Sequence, residues 1–128
     1  MEVPMAPSAT QLKRLEDRYR RLARQILDLG FSQPGSVVSR RTYCQTPGCR
    51  CHADPPQLHG PYWQWTRYDS GRTVTRRLTE GQARIYRELV ANRRRLTDIL
   101  VEMDKVAAQA AEILAQQSDK PATTNISK

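Results

Sequence analysis

The stretch PYWQWTRYDSGRTVTRRLT, residues 61–79, decides the fold. Aromatic and β-branched residues alternate with polar ones on both sides of Ser70-Gly71, a pair suited to a tight hairpin turn, so residues 61–69 and 72–79 read as two antiparallel strands. Side chains on a strand point alternately to opposite faces. Trp63, Trp65 and Arg67 therefore share one face and Tyr62, Gln64, Thr66 and Tyr68 the other. On the next strand Val74, Arg76 and Leu78 part from Thr73, Thr75 and Arg77 in the same way. Upstream, SVVSRRTY (residues 36–43) has the composition of a first strand, which completes a three-stranded antiparallel meander. One face of this sheet should lie on a helix and the other stay open. A chain with one Phe must spend Trp63 or Trp65 on burial.

On either side of the sheet the period changes from two to seven. Leu12, Leu15, Tyr19, Leu22, Ile26 and Leu29 recur at three and four residues, the spacing of a seam that faces a partner helix. Ser8 or Thr10 is expected to cap this helix, Gly30 to end it in the left-handed conformation, and Pro34 to bar its continuation, giving a helix over residues 9–30. After the sheet, Thr79-Glu80-Gly81-Gln82 reads as a capping box. The seam that follows comprises Ile85, Leu89, Asn92, Leu96, Ile99, Met103, Val106, Ala110, Ile113 and Gln117, with Val90, Leu100, Ala107 and Leu114 widening it into a second flank and no Pro to break a helix over residues 80–117. Such a helix is about 57 Å long against about 32 Å for the first. The first cannot cover it, so the sequence predicts an antiparallel coiled coil within the chain and a homodimer through the Ala-rich residues 103–117. Asn92 either sets register within the seam or faces solvent. Residues 1–8 and 118–128, polar and Pro-containing, read as disordered ends.

The fold class is therefore α+β: two helices forming an antiparallel coiled coil, with a small three-stranded antiparallel sheet and a Cys/His cluster at residues 34–79 between them. That cluster lies between the first two strands, where YCQTPGCRCH (residues 43–52) and His59 spell C-x4-C-x-C-H-x6-H. Thiolates and imidazole are the donors of a tetrahedral structural zinc, and the Pro47-Gly48 turn suits a knuckle that swings two sulfurs toward one ion. Cys44, Cys49 and Cys51 with His52 or His59 would complete the set. The alternatives are a buried reduced cysteine cluster and a redox-active thiol, since Cys49 and Cys51 are one residue apart where the common knuckle is C-x2-C. Catalysis is disfavoured: a filled Cys3His site keeps no position for water, and no Glu is nearby to act as a base.

Charge is concentrated in the same region. The 128-residue chain carries 21 basic and 13 acidic residues, and residues 31–96 hold twelve basic residues, all Arg, against Asp54, Asp69, Glu80 and Glu88. Arg grips phosphate through a planar fork. Arg40, Arg41, Arg67, Arg72, Arg76 and Arg77 fall on the strands and turns, and Arg84 and Arg87 on the first turns of the long helix. An uncompensated Arg patch of this kind points to a polyanionic partner. The length allows one small domain, with little room for an enzyme's cleft. No apolar run is long enough for a membrane span and no secretory leader is recognisable, so a cytoplasmic protein is expected, nucleoid-associated if it binds DNA.

The run from Gly35-Ser36-Val37-Val38 through Cys44, Gly48-Cys49-Arg50-Cys51, His59-Gly60-Pro61-Tyr62-Trp63 and the basic hairpin Arg72-Thr73-Val74-Thr75-Arg76 to the following helix resembles a family of small uncharacterised bacterial and phage proteins of mobile genetic elements. The resemblance spans residues 34–105 and implies His59, rather than His52, as the fourth ligand. More loosely, the order of three strands and a helix is similar to the arm-site DNA-binding domains of tyrosine recombinases, which lack the cysteines.

Together these readings predict a non-enzymatic, zinc-containing DNA-binding protein that assists a recombinase or transposase. Arg67, Arg76 or Arg77 would reach base edges if a strand entered the groove, with Trp65 beside them. A coiled-coil adapter whose basic patch meets an acidic protein, or an RNA-binding module, are the alternatives.

Overall fold

A computed structural model describes residues 7–119. The elements run α1 (Pro7–Leu27), β1 (Ser36–Thr42), a 3₁₀ turn (Arg50–His52), β2 (His59–Asp69), β3 (Arg72–Leu78) and α2 (Glu80–Ser118). The expected α+β class is thus met, with an antiparallel sheet in the order β1-β2-β3. Most of the stretches expected to be disordered, residues 1–8 and 118–128, lie outside the described residues. Pro7, Ser8 and Ser118 are helical. The chain divides into two compact units, one built from α1 and the C-terminal portion of α2 from Leu96 onward, the other from Gly30–Arg95.

Within Gly30–Arg95 the hairpin follows from its turn. Ser70 and Gly71 both take positive φ, 52° and 85°, the pair of values a two-residue turn needs to match the twist of its strands. The register then places Trp63 opposite Leu78, Trp65 opposite Arg76 and Arg67 opposite Val74, while Val37 of β1 pairs with Trp65. This face carries the core: Trp65, Leu78, Ala83 and Val90 are buried, with Val37, Trp63 and Tyr86 packed against them. Trp65 adds a polar anchor, its indole N–H donating to the Pro34 carbonyl at 2.8 Å. Gly35, at φ +100°, lies so close to β2 that a Cβ there would stand 2.2 Å from the Thr66 carbonyl oxygen. The opposite face presents Val38, Arg40, Tyr62, Gln64, Thr66, Thr75 and Arg77, with Thr66 and Thr75 hydroxyls 3.2 Å apart.

The capping box at the start of α2 is formed as the sequence predicts. Thr79 N–H donates to Gln82 Oε1 at 2.9 Å and Gln82 N–H to Thr79 Oγ1 at 3.1 Å. On the first half of α2 the buried residues are Ala83 and Val90, the latter from the expected second flank, with Tyr86 half-buried beside them; the expected Ile85–Leu89–Asn92 row is not the covered one, and Ile85 is 60% exposed. The sheet, not a second helix, covers this half, and its aromatic face selects the flank that can receive two Trp rings. The first half of α2 thus needs no second chain to cover it, whereas the homodimer is expected at residues 103–117, outside this half. Asn92 neither sits in a helix seam nor simply faces water: its side-chain amide donates to the Phe31 carbonyl at 2.8 Å.

In the other unit, Leu22, Ile99, Met103 and Val106 form the core, with Leu15, Ala23, Ile26 and Leu29 packed on it. The apolar stripes meet through their side chains, but the two backbones keep more than 8 Å apart over nearly all their length, without the close seam of a coiled coil. Two end signals also differ from expectation. Ser8 and Thr10 lie inside α1, which starts at Pro7, a residue suited to a first helical turn where its missing N–H is not needed. Gly30 is not left-handed; α1 closes instead with Asp28 and Leu29 amides bonded three residues back to Gln25 and Ile26.

Candidate metal centre and basic sheet

The loop between β1 and β2 gathers the cysteines by folding back on itself. Thr46 and Pro47-Gly48 form a turn closed by Cys49 N–H to the Thr46 carbonyl at 3.3 Å, with Gly48 at φ +80°. The 3₁₀ turn Arg50–His52 then carries Cys51 inward, where it is fully buried. His59 arrives as the first residue of β2, opposite Thr42 at the end of β1. The ligand atoms of Cys44, Cys49, Cys51 and His59 all lie within 4.8 Å of one another. Two edges of this group are short: Cys44 Sγ to Cys51 Sγ is 3.5 Å and Cys49 Sγ to His59 Nε2 is 3.3 Å.

These dimensions fit a zinc ion. A tetrahedron with Zn–S bonds of about 2.3 Å has S···S edges of about 3.8 Å. The backbone N–H of Cys44 also points at Cys51 Sγ, 3.3 Å away, a donor aimed at a sulfur that would carry charge as a ligand. His52 is excluded by geometry. Its Nε2 is 2.7 Å from the Cys44 carbonyl oxygen and its ring stacks on Tyr43 with centroids 5.7 Å apart, so of the two histidines His59 joins the cysteines. The thiols differ in acidity: hydrogen bonding with the Thr46 backbone holds Cys44 down to about 6, while burial pushes Cys51 up. An ion held by all four side chains would staple the ends of β1 and β2 and keep no coordination position for water.

The basic residues are less uniform than their sequence pattern. Arg40 and Arg77 lie on the open face, Arg77 stacked over the Tyr62 ring at 3.9 Å. Arg41 sits in the bulge where the β1–β2 register shifts between Arg40 and Thr42. Arg72 is at the hairpin, paired in register with Asp69, and Arg84 is exposed near the start of α2. Arg67, Arg76 and Arg87 instead line the helix-covered side, over Trp65 at 4.3 Å, Tyr86 at 5.8 Å and Trp63 at 4.5 Å. Arg76 also donates to the Tyr86 hydroxyl at 3.1 Å. Trp65 must be corrected: at 5% exposure and hydrogen-bonded to Pro34, it is core and offers no ring face to a base. The stack of Arg67 on Trp65 joins neighbours on one face of β2, whereas the stacks of Arg76, Arg77 and Arg87 and the role of Tyr86 carried no local signal, since each joins residues of different elements.

A family model describing a domain of unknown function, DUF6788, matches residues 12–88, more than half of the chain. The chain belongs to the DUF6788 family. The match takes in most of α1, the whole sheet with its Cys3His cluster, and the first turns of α2 through Glu88. No curated protein and no solved structure matches the chain. Among the described residues no helix is long and apolar enough to cross a membrane.

Proposed function

We propose that the chain binds duplex nucleic acid, DNA before RNA, through the arginines of its sheet and of the start of α2, with zinc at Cys44, Cys49, Cys51 and His59 as a structural staple. The observation that carries this reading is the unbalanced charge of Gly30–Arg95, where twelve Arg face four acidic residues. Among the described residues, Arg40, Arg41, Arg72, Arg77 and Arg84 have no carboxylate at ion-pair distance, while Lys13, Arg18, Arg20 and Lys105 of the other unit do. Guanidinium groups laid on Tyr62, Trp63, Trp65 and Tyr86 have lost much of their rotamer freedom already, and keep their N–H edges for a phosphate oxygen. Contacts of this kind give affinity without sequence preference and release counterions. An accessory role beside a recombinase or transposase belongs to the same proposal and rests on the resemblance of residues 34–105 alone.

Fluorescence anisotropy with a labelled random DNA duplex, a single strand and an RNA duplex, at low and moderate salt, tests the reading. Duplex DNA binding with Kd below about 1 μM at low salt, falling steeply as salt is added, is expected. Tighter binding to the single strand would favour stacking on the open-face Tyr62 and Tyr68, the latter 73% exposed, as the mode. No binding to any of the three overturns the proposal and leaves an acidic protein as the partner of the patch.

A further inference from the structure

The unit built from α1 and Leu96–Ser118 has a feature that the nucleic-acid reading does not use. Between its two helices runs an apolar groove of about 650 Å³, lined by Leu12, Leu15 and Tyr19 on one side and Ala110, Ala111 and Leu114 on the other. Tyr19 and Leu114 are 40% and 54% exposed. A pair of helices held this far apart leaves its groove-facing side chains with contacts on one side only.

We propose that a second copy of this chain seats on the groove, the two helix pairs meeting face to face about a two-fold axis as a four-helix bundle. The distribution of charge selects this occupant. α1 carries six basic and two acidic residues, whereas Leu96–Ser118 carries one basic and four acidic. A two-fold that lays α1 of one copy beside the α2 portion of the other sets opposite charges together at both flanks, as Arg18 and Glu102 are set within the chain at 3.5 Å. A uniformly acidic or basic partner would match one flank and be repelled by the other, and a nucleic acid would meet Asp98, Glu102, Asp104 and Glu112. Ala110 and Ala111 leave the wall low enough for a large side chain of the second copy to enter.

Sedimentation equilibrium of the full chain under reducing conditions, from about 1 to 100 μM, tests the proposal. The expected mass is twice 14.7 kDa. Ala111→Glu, on an exposed side chain, is expected to raise the dimer dissociation constant at least about tenfold with far-UV circular dichroism unchanged. If Ala111→Glu does not fold, Leu114→Glu replaces it. A monomer at the highest concentration, a mass of three or more chains, or a dimer that persists in the folded variant overturns the proposal. Because neither measurement involves DNA, the result is independent of whether the arginine surface binds it.

Discussion

Cys49 Sγ lies 3.3 Å from Nε2 of His59, ten residues further along the chain. The chain between them turns through the 3₁₀ helix and an Ala-Asp-Pro-Pro segment, so this contact closes the loop that joins β1 to β2. A metal held at this point by the four side chains would link the end of β1 to the start of β2.

Metal removal is therefore expected to loosen the sheet. The protein purified without chelator should carry about one zinc per chain, and a strong chelator should lower its melting temperature by about 10 °C or more. His59→Ala should lose the metal, while His52→Ala, whose ring contacts the Cys44 carbonyl and Tyr43 instead, should keep it. Elemental analysis with thermal melts of both variants checks this, and zinc retained by His59→Ala but lost from His52→Ala would reverse the ligand assignment.

Trp65 is expected to act through stability and not through binding. Trp65→Phe keeps most of the ring but leaves the Pro34 carbonyl without its donor, at a cost of about 1–3 kcal/mol. Trp65→Ala also opens a cavity against Leu78, Ala83 and Val90 and should cost about 3–5 kcal/mol. Urea unfolding monitored by circular dichroism measures both, and equal losses for the two would remove the packing part of the explanation.

Gly35 tests the approach of the first loop to β2. In Gly35→Ala the new methyl would meet the Thr66 carbonyl oxygen at 2.2 Å with backbone at φ +100°, so a loss of about 1–3 kcal/mol is expected. Gly71→Ala, also at positive φ but with open space around it, should cost less, and the same urea measurement ranks the two.

The open face can be probed by charge. Arg40→Ala with Arg77→Ala removes two guanidiniums that are not buried and should leave stability within about 0.5 kcal/mol. If both contact phosphates, the slope of log K against log salt for duplex DNA should fall by about 2. An unchanged slope with unchanged affinity would move the nucleic-acid surface away from this face, to Arg84 and the start of α2.

Much of this molecule was legible along the chain because it depends on local chemistry. Alternation around Ser70-Gly71, the reciprocal cap of Thr79 and Gln82, and the three-four spacing of α1 are decided by backbone dihedrals and by side chains a few residues apart, and all stand in the folded protein. The cysteine spacing likewise announced its cluster, since three thiols within one tight loop cannot lie far from each other. What the tertiary structure alone decided is which face of each element is covered. α2 has apolar residues on two flanks, and only the two Trp rings of β2 settle that Ala83 and Val90 are buried with Tyr86 packed beside them while Ile85 is left in solvent. The same packing turned Trp65 from a candidate contact into core, laid Arg76 over the Tyr86 ring and Arg87 over the Trp63 ring, and separated His59 from His52. Each of those outcomes depends on a neighbour distant in sequence, and periodicity describes an element's own geometry without naming the surface that it will meet.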